Sequence, residues 1–349
     1  MPTIFDLVNA KEIGTFWTES ADNRIPYLGA TLFPSKKQLG LDLSWIKGRQ
    51  GLPVALKPSA FDAKATLRDR IGISKIETEM PFFRESMRIG EKDRQELNKV
   101  RDAQNSAFFE PIIAKIYDDI GQLIQGAEVS AERMRMQLLS SGTIAVEANR
   151  VQYDYDYHLS EDNKVVITDE DSKWSNPETA RPVEDLMEWM RTVEELTGSR
   201  PTRAICTSKT WNYLVANESI RGDMQFIDPT AVIVTDEMIR QYLATKLGLQ
   251  VTVYNKRYVD ENGQTKQFFE DDVFTLLPSG NLGNTYYGTT PEESDLMSGN
   301  TDAQVSIVDT GVAVTTIKEP HPVNVFTVVS AIMLPSFERI DDIFIATVA

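Results

Sequence analysis

The sequence predicts an α+β fold in which an extended basic β-hairpin and a long helix accompany a compact α/β region. Three observations carry this. Residues 31–81 combine turn formers with strand-like alternation; helical spacing runs from Glu91 to Leu139; strand and helix patterns then alternate from Pro182 to the C-terminus. With 349 residues, 41% hydrophobic and 25% charged, the chain suits one large globular domain or two moderate ones.

In the first segment Pro34, Gly40, Gly48, Gly51, Pro53, Pro58 and Gly72 punctuate the chain. Between them Leu39, Leu41, Leu43 and Trp45 alternate with polar or small residues, the period of a half-buried strand. Lys47–Gly51 reads as a loop and Leu52–Leu56 as the return strand. A two-stranded hairpin lacks a core of its own, so it needs another surface to rest on.

The helical stretch carries Leu97, Val100 and Phe108, then Ile112, Ile113, Ile116 and Ile120 on an apolar face. Pro111 is expected to break or kink it and Gly126 to interrupt it, giving a jointed helix that stops at Ser140-Ser141-Gly142. Thr143–Glu147 and Val151–Tyr157 form a hairpin with Tyr153, Tyr155 and Tyr157 on one face. Residues 160–181 read as an acidic, polar connector.

Pro182 to Gly198 is the next helix, Arg203–Cys206 a buried strand, and Thr207 or Ser208 starts a helix bearing Trp211 and Leu214. Asp236 caps a helix ending at Gly248, Leu249–Tyr258 is a strand, and Asp260–Gly263 a turn into another strand. Residues 278–300 read as a Gly- and Asn-rich loop, followed by strands near Val312–Ile317, Val325–Met333 and Ile343–Val348.

The net charge of −16 opposes nonspecific nucleic-acid binding, which needs Lys and Arg to displace counterions. Residues 36–101, however, hold 15 Lys+Arg against 9 Asp+Glu, a balance of +6, which leaves −22 on the remainder. A basic segment on an acidic body can reach nucleic acid, an acidic membrane or the body of another copy, or be a solvated face without a partner. The N-terminal residues lack a signal-peptide pattern, and the longest apolar run, Phe326 to Leu334, is too short to span a bilayer. The single cysteine, Cys206, excludes an internal disulfide and reads as a small buried side chain. A soluble protein made in a reducing cytoplasm is expected.

No phosphate loop, dinucleotide fingerprint or nucleophile elbow occurs; Gly280-Asn281-Leu282-Gly283 reads as a surface loop. His158 and His321 have no zinc spacing. Asp154, Asp156 and His158, then Asp169-Glu170-Asp171, are the acidic clusters that invite a metal-dependent hydrolase reading, but solvated faces and helix caps account for them better in so acidic a chain. The five tryptophans are not interleaved with cations, so they read as core or interface residues, not base-stacking platforms. No catalytic residue, cofactor or metal follows.

The order of arm, basic hairpin, long helix, α/β region and returning strands resembles the lambda-type major capsid protein E family of tailed bacteriophages, with its Hong Kong 97-type fold. The residues carrying the resemblance are Leu32-Phe33-Pro34, Trp45-Ile46-Lys47-Gly48, Pro81-Phe82-Phe83-Arg84-Glu85, Met136 to Ile144, Trp174, Tyr258 to Gly263 and Ile332 to Pro335. It implies an N-terminal arm over 1–37, an extended loop over 38–90 and a peripheral domain with its spine helix over 91–181. An axial domain over 182–319 and C-terminal strands over 320–349, returning to the peripheral domain, complete it. It also implies pentamers and hexamers of an icosahedral head enclosing double-stranded DNA without sequence-specific contacts. Its further partners are a scaffolding protein, a portal and in some relatives a decoration protein, with no membrane. Since no long helical leader precedes the arm, a separate scaffolding protein is expected. Lys57, Lys64, Arg68 and Arg70 are the expected contacts of the loop with acidic surface on an adjacent subunit. The residues alone leave two other readings open: the hydrolase using Asp154, Asp156 and Asp169, and a non-capsid phage structural or surface-binding module.

Overall fold

The computed structural model describes residues 9–20, 26–47, 74–92, 95, 106–148, 151–227, 234–299, 304–321 and 323–349. In chain order come α1 (Ala10–Glu19), α2 (Leu28–Leu32), β1 (Ser35–Lys37), β2 (Asp42–Lys47), β3 (Ser74–Glu79), β4 (Phe82–Ile89), α3 (Ser106–Ser141), β5 (Thr143–Ala148) and β6 (Val151–Asp156). There follow β7 (Lys164–Val166), α4 (Pro182–Thr197), β8 (Arg203–Cys206), α5 (Ser208–Ala216), α6 (Glu218–Ile227), α7 (Asp236–Leu247), β9 (Gln250–Val253), β10 (Arg257–Val259) and β11 (Thr265–Gln267). The last are β12 (Val273–Leu277), β13 (Thr285–Tyr287), α8 (Pro291–Ser298), β14 (Gln304–Val308), β15 (Val312–Pro320), β16 (Val323–Pro335) and β17 (Phe344–Thr347). Two packing units emerge: residues 1–44, 77–133 and 284–336, and residues 45–76, 134–283 and 337–349. No helix among the described residues is long and apolar enough to cross a membrane.

The first unit is organised by β16, 13 residues long, which pairs antiparallel with β15 on one side and with β4, then β13, on the other. β14 and β1 complete a six-stranded sheet. α1 lies against β14 because Gly14 has no side chain: a Cβ there would sit 2.8 Å from Ser306 Oγ. Trp17, 5% exposed, anchors the same helix through Nε1, which donates to Asp309 Oδ2 at 2.7 Å.

In the second unit the sheet runs β7-β17-β12-β8-β9, with β7 and β9 each parallel to its neighbour. α4 begins with Pro182 at its first position and ends at Gly198, whose φ of 74° is the left-handed turn that glycine adopts without strain. Its buried residues, Val183, Leu186, Trp189, Met190 and Val193, recur at helical spacing and face the core. There Trp189 stacks on Trp174 and on Phe344, with ring centroids 5.7 and 5.4 Å apart. Cys206 is fully buried, and burial pushes its thiol up to about 12.

Trp174 Nε1 donates to Asp185 Oδ2 at 2.8 Å. Burial holds the Asp185 carboxyl above its usual range; the tryptophan bond opposes this, and Glu188 and Glu184 add to it. The folded-state pKa therefore exceeds the unfolded one. The associated stability is fully present below the unfolded pKa and is lost as pH rises through the folded value. Asp185→Asn, which keeps an acceptor for the indole, is expected to flatten that loss in melting curves recorded across the mildly acidic range.

Several expectations change in three dimensions. α3 is continuous over 36 residues: Pro111 and Gly126 do not divide it. Pro111 is its sixth residue, so its missing amide removes about one intrahelical bond near the helix start, where such bonds are fewest. Of the stretch leading into it from Glu91, residues 93–94 and 96–105 lie outside the described residues. The return strand at Leu52–Leu56 is also outside them, and the described partner of β2 is β3. Leu43 and Trp45 are buried as the alternation requires, whereas Leu39 and Leu41 precede β2 and are exposed. The strand at Leu249–Tyr258 is two strands, β9 and β10, because β9 follows β8 while β10 turns into its own hairpin with β11. Thr235, not Asp236, caps α7, accepting from Met238 N. Residues 278–300 hold β13 and α8, and β14 precedes the three expected terminal strands. Leu282 in the glycine loop is fully buried, not at the surface, and the acidic connector contains β7 and the buried Trp174.

Candidate assembly surface

Lys57, Lys64, Arg68 and Arg70 lie outside the described residues. What the structure describes is the root of the segment that carries them. Lys37 at the end of β1 donates to Gly288 O at 2.9 Å and forms an ion pair with Glu293 at 2.5 Å. Arg84 on β4 pairs with Glu292 at 2.5 Å, and Ser330 Oγ on β16 donates to the same carboxylate at 2.9 Å. α8 thus lies on the sheet without a single fully buried residue, held through carboxylates of its first turn. Both glutamates are mostly shielded, at 13–14% side-chain exposure, which strengthens such pairs relative to open surface ones. Beside them Thr289 N donates to Gly40 O at 3.3 Å, tying the turn before β2 to the residues preceding α8.

This cluster escaped the sequence reading because Gly, Asn and Ser dominate residues 278–300. A local signal existed. Thr290-Pro291-Glu292-Glu293 is an N-cap, a proline at the first helical position and an acidic first turn, and Thr290 Oγ1 does accept from Glu293 N.

A second anchor lies within the same unit on α3. Glu132 has no exposed surface, and its Oε1 accepts the Gly29 amide of α2 at 3.0 Å. Removing it leaves a buried amide without this acceptor. Glu132→Ala is expected to cost about 2 kcal/mol, the range for an unmet buried group, with Glu132→Gln recovering most of it; urea midpoints measure both.

The acidic residues behind the hydrolase reading do not form a ligand set. Asp154 accepts from Gln152 Nε2, Asp156 accepts from His158 N and lies 3.4 Å from the His158 ring, and Asp169 accepts from Ser172 Oγ. All three are exposed. Among the described residues no group of three His, Cys, Asp or Glu could hold a metal ion. A groove of about 330 Å³ bordered by Arg181, Met187, Asp223 and Lys246 directs its lysine to Asp223 and the Tyr242 hydroxyl. All five tryptophans are buried, consistent with packing roles.

The family described as phage major capsid protein E matches residues 15–348. Among solved structures, a chain described as a prophage capsid protein from Escherichia coli CFT073 superposes with a TM-score of 0.62 at 16% identity, covering 98% of this chain and 99% of that one. A phage-related protein of Bordetella bronchiseptica RB50 gives 0.58 at 11% identity and 97% coverage of both chains. The capsid asymmetric unit of cyanophage A-1(L) gives 0.51 at 12% identity, covering 92% of this chain and 91% of that one. At such identities these likenesses establish the fold. A comparison with curated proteins finds no match.

Proposed function

This chain belongs to the phage major capsid protein E family, and from that premise we propose that it assembles into the pentamers and hexamers of an icosahedral head enclosing double-stranded DNA. It is a capsid-forming structural protein of the virion with the Hong Kong 97-type fold, and it associates with copies of itself. The observation that carries the reading is the family match along nearly the whole chain.

In this proposal residues 1–37 are the arm, 38–90 the extended loop, 91–181 the peripheral domain, 182–319 the axial domain and 320–349 the returning strands. That division follows role along the chain, whereas the packing units interleave segments from both halves of it. The acidic body suits a container wall that must not grip its packed polyanion. Assembly takes place in the host bacterial cytoplasm with a scaffolding protein and a portal, the partners of such heads, to which some relatives add a decoration protein. The root cluster of Lys37, Arg84, Glu292 and Glu293 supports the loop role, since a segment that must reach a neighbour needs fixed ends.

The loop contact is testable through its cations. The double variant Arg68→Glu, Arg70→Glu is expected to fold as the parent does by circular dichroism yet yield no shells by negative-stain microscopy, because like charges then face each other across the contact. Shells of normal size and yield from that variant would remove the contact from the proposal. A parent protein that stays monomeric at every concentration tried would remove the capsid reading itself.

A further inference from the structure

We propose that Arg240 guards the open edge of the second unit's sheet, preventing copies of this chain from adding to one another strand by strand. β9 ends the five-stranded sheet, and among the described residues it pairs with β8 alone. The pairing is parallel, so alternate residues turn both backbone groups to the same side. Gln250 N donates to Thr202 O at 3.0 Å and Tyr254 N to Cys206 O at 2.9 Å. The even-numbered residues therefore face β8, and Val251 and Val253 turn their amides and carbonyls outward.

An outward row of donors and acceptors is a template for another strand, and edges are normally blunted by charge, proline or a bulge. Gln250-Val251-Thr252-Val253 has neither charge nor proline, and two of its four residues are valine. Its protection comes from another element. Arg240 on α7 donates from Nη1 to Val251 O at 2.8 Å, the carbonyl at the middle of the open side. Its guanidinium also lies over the Trp211 ring, 4.9 Å from the centroid, and Trp211 on α5 is only 2% exposed. The cation is thus fixed by a rigid aromatic face and cannot swing aside freely. An incoming strand would have to displace one hydrogen bond and desolvate a charge that it cannot pair. That matters most where many copies are concentrated, as in shell assembly, a setting that rests on the capsid reading; the edge chemistry does not.

Three variants of the full chain test this. Arg240→Met keeps an unbranched stem without the charge. Val253→Pro removes an outward amide and leaves the ladder to β8 intact, since residue 253 does not bond β8. The third combines them. Circular dichroism and thermal melting establish folding, and sedimentation velocity with thioflavin T fluorescence follows association. Arg240→Met is expected to stay folded and to associate into irregular, thioflavin-positive material about tenfold faster than the parent. Val253→Pro should behave as the parent and form normal shells, and the double variant should return to the parent's rate. If Arg240→Met melts below the assay temperature, Arg240→Gln, which also lacks the charge, takes its place: it must associate faster than the parent and be restored by Val253→Pro. The proposal is overturned if the folded variant associates at the parent's rate, or if its association persists with the proline. Loss of shells from a folded Val253→Pro protein would also overturn it, because the edge would then be a productive contact.

Discussion

Gly288→Ala is expected to lower the stability of the first unit by about 3 kcal/mol, the upper part of the usual range for overpacking. A Cβ at this position would lie 2.7 Å from Gly40 O, 2.7 Å from Ile332 Cγ2 and 2.8 Å from Met80 Cε. The methionine end can move, but the Gly40 carbonyl cannot easily do so, because Thr289 N donates to it. Gly288 cannot retreat either, since its own amide donates to Ile332 O at 2.8 Å. Two backbone segments cross here with no room for a methyl group, beside the ion pairs that hold α8. Gly126→Ala is the contrast: it lies in α3, has open space where the Cβ would go, and should stabilise by about 0.5–1 kcal/mol through helix propensity. Urea unfolding of both variants gives the comparison, and a Gly288→Ala midpoint equal to the parent's would show that the crossing has slack.

Trp174→Ala is expected to cost about 3–5 kcal/mol in the second unit, the range for truncating a large buried aromatic. The indole is 1% exposed, stacks on Trp189 and meets Phe274 edge-on with centroids 5.3 Å apart. Its backbone amide also donates to Val348 O at 2.8 Å, joining the connector to the chain's last residues. Trp174→Phe separates the contributions. It keeps much of the aromatic packing but leaves Asp185 without the indole donor, for a cost of about 1–2 kcal/mol. In an Asp185→Asn background the additional loss should shrink, because the stranded acceptor is then neutral. Equal losses in both backgrounds would mean that the bond to Asp185 contributes nothing beyond packing.

Where periodicity and punctuation coincide, local chemistry is decisive. α4 runs from Pro182 to Gly198 as its residues demand, and the β5–β6 hairpin sets Tyr153 and Tyr155 side by side, with rings 6.2 Å apart. The buried strand at Arg203–Cys206 and the turn before β11 were equally legible. The family was legible too, through short motifs scattered along the chain that no single local pattern accounts for.

Pro111 fails for a local reason, and the other failures named here share one cause: neighbours distant in sequence override local signals. Pro111 looks like a break, yet a helix of 36 residues tolerates it near its start. Residues 285–287 look like loop, yet they become a strand because β16 on one side and β1 on the other supply hydrogen-bond partners. β7 is only three residues long and exists through its pairing with β17, in which Lys164 lies opposite Ile345. Glu292 and Glu293 are two acidic residues among 52, and only the fold brings Arg84 and Lys37 to them.

The sequence by itself determined the α+β class, the family, the basic segment on an acidic body and the bounds of α4 and α7. These depend on composition, spacing and caps, which are local. Only the tertiary structure decided which carboxylates hold the root of that segment, which glycine sits at a backbone crossing and which arginine covers an open strand. Each depends on residues from 11 to more than 250 positions apart meeting within a few ångströms, and pairwise geometry of that kind has no period to read.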